Sequence, residues 1–168
     1  MAAGWQIYLV RHGIAAERGT AWRDDARRPL TAQGAARFRT CVRGAVRYGI
    51  TIDRIFTSPL VRTTQTADLL ARGADVTSRV VPLESLAPGH DAAAVLDELA
   101  AVASPGAVAL VGHEPDLGQL AAYLLGATRP IPFKKGGMCR IDLERLGSPH
   151  LGALVWFMDP RALRKLGR

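Results

Sequence analysis

The chain has 168 residues, 48% of them apolar and 22% charged. That suits one compact domain over residues 1–168 with a filled core, and excludes disordered, collagen-like and low-complexity classes. The formal net charge is +7, an excess that is mostly arginine and spread along the whole sequence.

A basic balance can signal nucleic acid, anionic lipid or phosphorylated partners. No aromatic-flanked basic cluster and no zinc-finger spacing is present, so nucleic acid is not expected. The surface reads as solvated arginine that also attracts anionic substrates. No charged leader precedes a long apolar stretch, and the longest apolar runs, such as Gly152–Met158, are too short to cross a bilayer. A soluble, cytoplasmic protein without membrane contact is expected. Cys41 and Cys139 lie far apart and form no CxxC pair, so they read as reduced packing residues.

In chain order, Trp5–Val10 is a strand rich in β-formers. Thr31 caps a helix running to about Tyr48, with Phe38, Cys41, Val42 and Ala45 on its apolar face. Arg39, Arg43 and Arg47 form a solvated stripe on it, and Gly49 stops it. Asp53–Thr57 is a second strand. Ser58-Pro59 then reads as N-cap and first helical residue of a helix to about Ala71. Val80–Leu83 is a short strand, and Asp91 caps a helix with Val95, Leu99 and Val102 on one face. Ala107–Val111 is a continuous apolar strand, as expected when both sheet faces are covered. Pro115 opens a helix that ends at Gly126. Cys139–Leu143 and Leu151–Phe157 close the sheet. The alternation predicts a three-layer α/β/α domain with a mostly parallel sheet. The Pro- and Gly-rich segment Gly126–Gly137, carrying Lys134-Lys135, is expected to be a mobile loop.

Ligands of open α/β sheets bind beyond the carboxyl ends of the strands. Arg11-His12-Gly13 follows the first strand. Ser58-Pro59 and, one helical turn on, Arg62 follow the second. Gly112-His113-Glu114-Pro115 follow the central one. Two arginines and two histidines thus fall on one sheet edge. The arginine fork matches phosphate oxygens, and a neutral, oriented histidine is a nucleophile. Gly13 permits close backbone approach to an anion. Arg62, near a helix N-terminus, costs roughly 0.3–1 kcal/mol against the helix dipole unless an anion joins it. It could instead pair with Asp68 or another carboxylate. His90 and His150 follow no buried strand and read as structural or solvated. Neither cysteine begins a phosphate-cradling loop, which disfavours cysteine-based phosphatase chemistry.

These residues resemble the histidine phosphatase superfamily, which includes the phosphoglycerate mutases. Leu9-Val10-Arg11-His12-Gly13, the run from Ser58 to Ala67 and Val111-Gly112-His113-Glu114-Pro115 look like its three signatures, in order and spacing. Arg28-Pro29-Leu30-Thr31, Leu86-Ala87-Pro88-Gly89 and the absence of a large inserted cap look like the SixA-type phosphohistidine phosphatases. The resemblance implies a phosphoglycerate mutase-like fold. It also implies a catalytic set of His12 as phosphoryl acceptor with Arg11, Arg62 and His113, and a phosphate site of Arg11, Gly13, Arg62 and His113.

The sequence departs from the family after Gly13, where Ile14-Ala15-Ala16-Glu17-Arg18 stands in place of a Glu-Thr run and a following Asn. No carboxylate matches the family's general acid; Glu84, Glu17 and Asp25 are candidates in falling order. A site without a strong acid suits a P–N bond better than a P–O bond. Metal and cofactor are not expected, since arginines supply the charge and no DxD or HExxH run is present. A phosphohistidine protein is the expected substrate. A small-molecule phosphomonoesterase and a non-catalytic phosphate-binding module are the other readings.

Overall fold

The structure is a computed structural model that describes residues 4–147 and 152–168. His150 and the first residue of the expected strand Leu151–Phe157 lie outside the described residues. Six strands form one sheet: β1 (Trp5–Arg11), β2 (Arg54–Thr57), β3 (Val81–Pro82), β4 (Ala107–Gly112), β5 (Met138–Leu143) and β6 (Ala153–Met158). Their order is β3-β2-β4-β1-β5-β6. The first four are parallel, while β5 and β6 add antiparallel to the β1 edge. This is the mixed α/β sheet of the phosphoglycerate mutase-like fold. Five helices cover it: α1 (Ala32–Tyr48), α2 (Val61–Gly73), α3 (Ala92–Val102), α4 (Asp116–Leu125) and α5 (Pro160–Leu166). None among the described residues is long and apolar enough to cross a membrane.

The sheet divides the apolar interior in two, because strand residues alternate between faces. Ile7, Leu9, Val108 and Leu110 pack with Leu96, Leu99, Leu117 and Leu120 of α3 and α4. Tyr8, Val10, Ala109 and Val111 pack with Phe38 and Val42 of α1, Leu70 of α2 and Leu163 of α5. Both cysteines are buried and unpaired, as packing residues should be.

Local chemistry sets most helix ends. Thr31 accepts from the Gly34 amide and caps α1, which ends at Gly49 in a left-handed conformation (φ 105°). Asp91 caps α3 in the same way, and Gly126 ends α4. Ser58 does not cap α2. The helix starts at Val61 with Leu60 at the N-cap, and Ser58 is turned to another use described below. The short strand expected at Val80–Leu83 narrows to Val81–Pro82, where pairing with β2 is limited to two residues. α5 carries a cap at Asp159 and Pro160 at its start. It packs against α1, where Gly44 leaves room for the Leu163 carbonyl.

Two expectations about the surface change. Arg43 and Arg47 are not merely solvated: Arg43 Nε donates to the Gly167 carbonyl and Arg47 Nη1 to those of Leu166 and Arg168, tying α1 to the end of α5. The second half of Gly126–Gly137 is anchored rather than loose. Phe133 is buried, the Ile131 amide donates to Gly118, and Gly136 donates to the carbonyls of Arg11 and His12.

Candidate active site

Strand register brings three chain segments level at one sheet edge. Arg11 pairs with Gly112, and Thr57 with Val111, so His12, Ser58 and His113 emerge side by side. The His12 and His113 rings are 5.3 Å apart between centroids. With Arg11 and Arg62 they line one cavity of about 450 Å³. The structure therefore brings together all four residues expected to act jointly.

His12 is 5% exposed. Its Nδ1 donates to the Gly13 carbonyl at 2.7 Å, a carbonyl being unable to donate. That fixes the tautomer and leaves the lone pair on Nε2. Burial, with the positive charges of Arg62, Arg11 and Lys135, pushes the His12 pKa down to about 4 against the opposing Gly13 hydrogen bond. His113 is pushed down to about 3 by burial, aided by Arg62. Its Nε2 lies 2.8 Å from Ser58 Oγ, which explains why Ser58 is not spent on capping α2. Both imidazoles are neutral at pH 7.

The two arginines are aimed by different means. Arg11 Nη1 donates to the Phe133 carbonyl at 2.5 Å. Arg62, in the first turn of α2, donates to the Asp25 carbonyl at 2.8 Å and to Asp25 Oδ2 at 3.0 Å. Each leaves its Nε buried without a partner. The pairing of Arg62 with Asp68 does not form; Asp25, on the 3-10 turn Asp25–Arg27, takes that place. Thr66 Oγ1 donates to the Arg62 carbonyl and accepts from the Gly13 amide, so α2 also steadies the loop after His12.

Three expectations are corrected by this geometry. Gly13 does not line the cavity, and its amide and carbonyl are taken by Thr66 and His12, so it orients the histidine rather than cradling an anion. Asp25 is a poor proton donor. Burial opposes its ionisation, but hydrogen bonds and charge from Arg28 and Arg62 prevail and hold its pKa below the usual carboxylate range. Glu84 is exposed beside its 3-10 turn and is not part of the cavity wall. Glu17 lines the cavity at its exposed rim.

The carboxylate that sequence reasoning passed over is Glu114, beside His113. It lines the cavity, its Oε1 is buried without a partner, and burial raises its pKa against hydrogen bonds from the Phe133 and Gly118 backbone and the charge of Arg11. Its place in the Gly-His-Glu-Pro run was the available signal. Among the described residues, no three His, Cys, Asp or Glu side chains cluster as metal ligands.

An α/β sheet whose carboxyl edge joins two neutral histidines to a buried arginine and a half-buried one defines an enzyme that handles phosphoryl groups. Comparison with known proteins agrees. Residues 7–87 match the model of the histidine phosphatase superfamily (branch 1). The chain is 38% identical over 137 residues to an uncharacterised Picosynechococcus protein, covering 79% of this chain and 82% of that protein. It is 28% identical over 161 residues to the phosphohistidine phosphatase SixA of Escherichia coli, covering 95% and 96%. A solved structure of the protein histidine phosphatase SixA complexed with tungstate superposes with a TM-score of 0.81 at 26% identity, covering 94% of this chain and 99% of that one. The chain belongs to the histidine phosphatase superfamily and is a phosphate-releasing hydrolase.

Proposed function

We propose that the protein hydrolyses phosphohistidine on a protein through a phosphohistidine at His12. The observation that carries this is His12 itself: neutral, locked by its Gly13 hydrogen bond with Nε2 unprotonated, and flanked by the guanidinium groups of Arg11 and Arg62. Nε2 attacks phosphorus in line. The new N–P bond forms as the bond to the leaving imidazole breaks. The His12 ring becomes cationic, and its Nδ1–H donation to Gly13 disperses that charge. Arg11, Arg62 and His113 hold the equatorial oxygens, so catalysis is mainly positioning and electrostatics. Water then displaces His12, releasing inorganic phosphate and restoring the neutral ring, while its proton passes to solvent. A phosphohistidine protonated on its second nitrogen leaves as neutral imidazole, whose conjugate acid has a pKa of about 6.5. It needs no strong acid from the enzyme.

A second reading has its own observation. Glu114, with its raised pKa and partnerless oxygen, could protonate an alkoxide, which would make the enzyme a phosphomonoesterase for small molecules. Turnover of a phosphohistidine protein, p-nitrophenyl phosphate and an alkyl phosphate by wild type and Glu114→Gln separates the two. The phosphohistidine reading expects the first substrate to be fastest and insensitive to the substitution. A fast alkyl phosphate, slowed 10²-fold or more by Glu114→Gln while p-nitrophenyl phosphate is spared, would establish the esterase instead. Activity is expected to survive EDTA, measured as phosphate release before and after dialysis. Loss restored by magnesium or zinc would contradict the assignment of charge to the arginines.

A further inference from the structure

The excess positive charge is not spread over the surface as the linear sequence implies. α1 holds four arginines and α5 two arginines and a lysine, with no acidic residue in either helix. Across the sheet, α3 and α4 hold Asp97, Glu98 and Asp116 and no arginine or lysine. None of the ion pairs among the described residues uses a cation from α1 or α5.

This cationic face is continuous with the catalytic cavity. Lys135 lines both the cavity and an adjoining crevice beside α1 and α5. Arg37 and Arg164 line that crevice and also a depression of about 400 Å³ farther along, where Arg43 and Arg168 join them. Arg43 donates to the Gly167 carbonyl and to Thr40 Oγ1, and among the described residues none of these cations pairs with a carboxylate. Seven like charges gathered on two packed helices cost stability through repulsion, and no carboxylate among the described residues pairs with them.

We propose that the α1–α5 face docks an acidic surface of the phosphorylated substrate protein and steers its phosphoryl group into the cavity. The proposal deepens the protein-phosphatase reading and rests on it for the identity of the docked molecule. Complementary charge chiefly raises encounter rate and fixes orientation. Nucleic acid fits the face less well. Tyr48, the aromatic side chain of α1 that is exposed, packs edge-on against Trp156 instead of offering a stacking platform. A lipid surface fits less well too, because the depression is lined by Ala36, Thr40 and arginines, not by large apolar side chains that would enter a bilayer.

The test separates docking from chemistry. A fluorescent glutamate-rich peptide and its glutamine counterpart, both unphosphorylated, are titrated with wild-type protein, with Arg37→Glu/Arg164→Glu and with Arg37→Gln/Arg164→Gln. The glutamate peptide should bind wild type and weaken with rising salt. It should lose about tenfold or more in affinity in the double Glu variant and less in the double Gln variant. All three proteins should turn over p-nitrophenyl phosphate within about twofold of one another, which shows that they are folded. Equal binding of the two peptides, or binding untouched by the charge reversal, would overturn the proposal. So would tighter binding of duplex DNA or phosphatidylserine vesicles that the same variant abolishes. Phosphohistidine forms of both peptides are assayed in parallel. A glutamate peptide that binds through Arg37 and Arg164 yet is not dephosphorylated would refute the phosphohistidine reading and leave the docking surface standing.

Discussion

His12 illustrates how burial and surrounding charge keep a histidine neutral, as the proposed nucleophile must be. Burial and three nearby cations push its pKa down to about 4, and His113 is held at about 3. In the anion-free protein neither ring should titrate between pH 5 and 8, which NMR of the ring protons would show; an inflection near 6.5 from either would contradict this electrostatic picture. Stability follows with a definite sign. An unfolded histidine takes up a proton at about pH 6.5, whereas the native His12 waits until about 4. Between those values the unfolded state binds more protons, so stability should fall as pH drops from 6.5 towards 4. Urea midpoints measured across that window check the slope, and His12→Ala should make it shallower, leaving the share that His113 contributes. That variant should also lose several orders of magnitude in turnover, as removal of a covalent nucleophile does. Alkali quenching of wild type during turnover should trap phosphate on His12. The four residues proposed to act together were legible because Arg11, His12 and His113 stand at the ends of apolar strands and Arg62 one helical turn beyond another. The task of Asp25 was not, because it depends on a turn 37 residues before Arg62 folding onto α2.

At the scale of elements, capping residues spoke clearly: Thr31, Gly49, Asp91 and Gly126 all act where their local chemistry places them. Ser58 misled because a tertiary partner, His113, outbid its own helix. α5 escaped notice because only Leu163 among its seven residues is buried, too little for a helical period. The packing of α1 on the loop after His12 yields a test. A Cβ on Gly34 would sit 2.0 Å from the Ile14 carbonyl, the group that accepts from the Thr31 amide. Gly34→Ala must therefore push α1 away from the segment that follows the nucleophile. We expect a loss of about 1–3 kcal/mol in chemical denaturation, the usual range for overpacking, together with reduced kcat/KM. A variant as stable and active as wild type would show that this close approach does not position the site.

Over the whole molecule, net charge was legible as a number but not as a pattern. Helix order along the chain does not reveal that α1 and α5 share one sheet face while α3 and α4 occupy the other. Sheet order escaped for a similar reason: β4 enters between β1 and β2, and only the folded register shows that this brings His113 beside His12. Because β1 and β4 contribute side chains to both apolar clusters, the two cores should melt together. The candidate active-site cavity joins to those same strands five cations, Arg11, Arg18, Arg28, Arg62 and Lys135, against three carboxylates. Inorganic phosphate bound there, and not to the unfolded chain, should raise the stability of the entire fold. At a hundred times its dissociation constant the gain is about 2.7 kcal/mol, or about 5–10 °C in Tm for a chain of this size. Scanning calorimetry should record one transition that moves upward as a unit with phosphate. The shift should shrink markedly in Arg62→Gln, which removes the charge together with the Nη contacts to Asp25. Two transitions, only one of them phosphate-sensitive, would mean that the β5–β6–α5 end unfolds independently of the strands that carry the histidines.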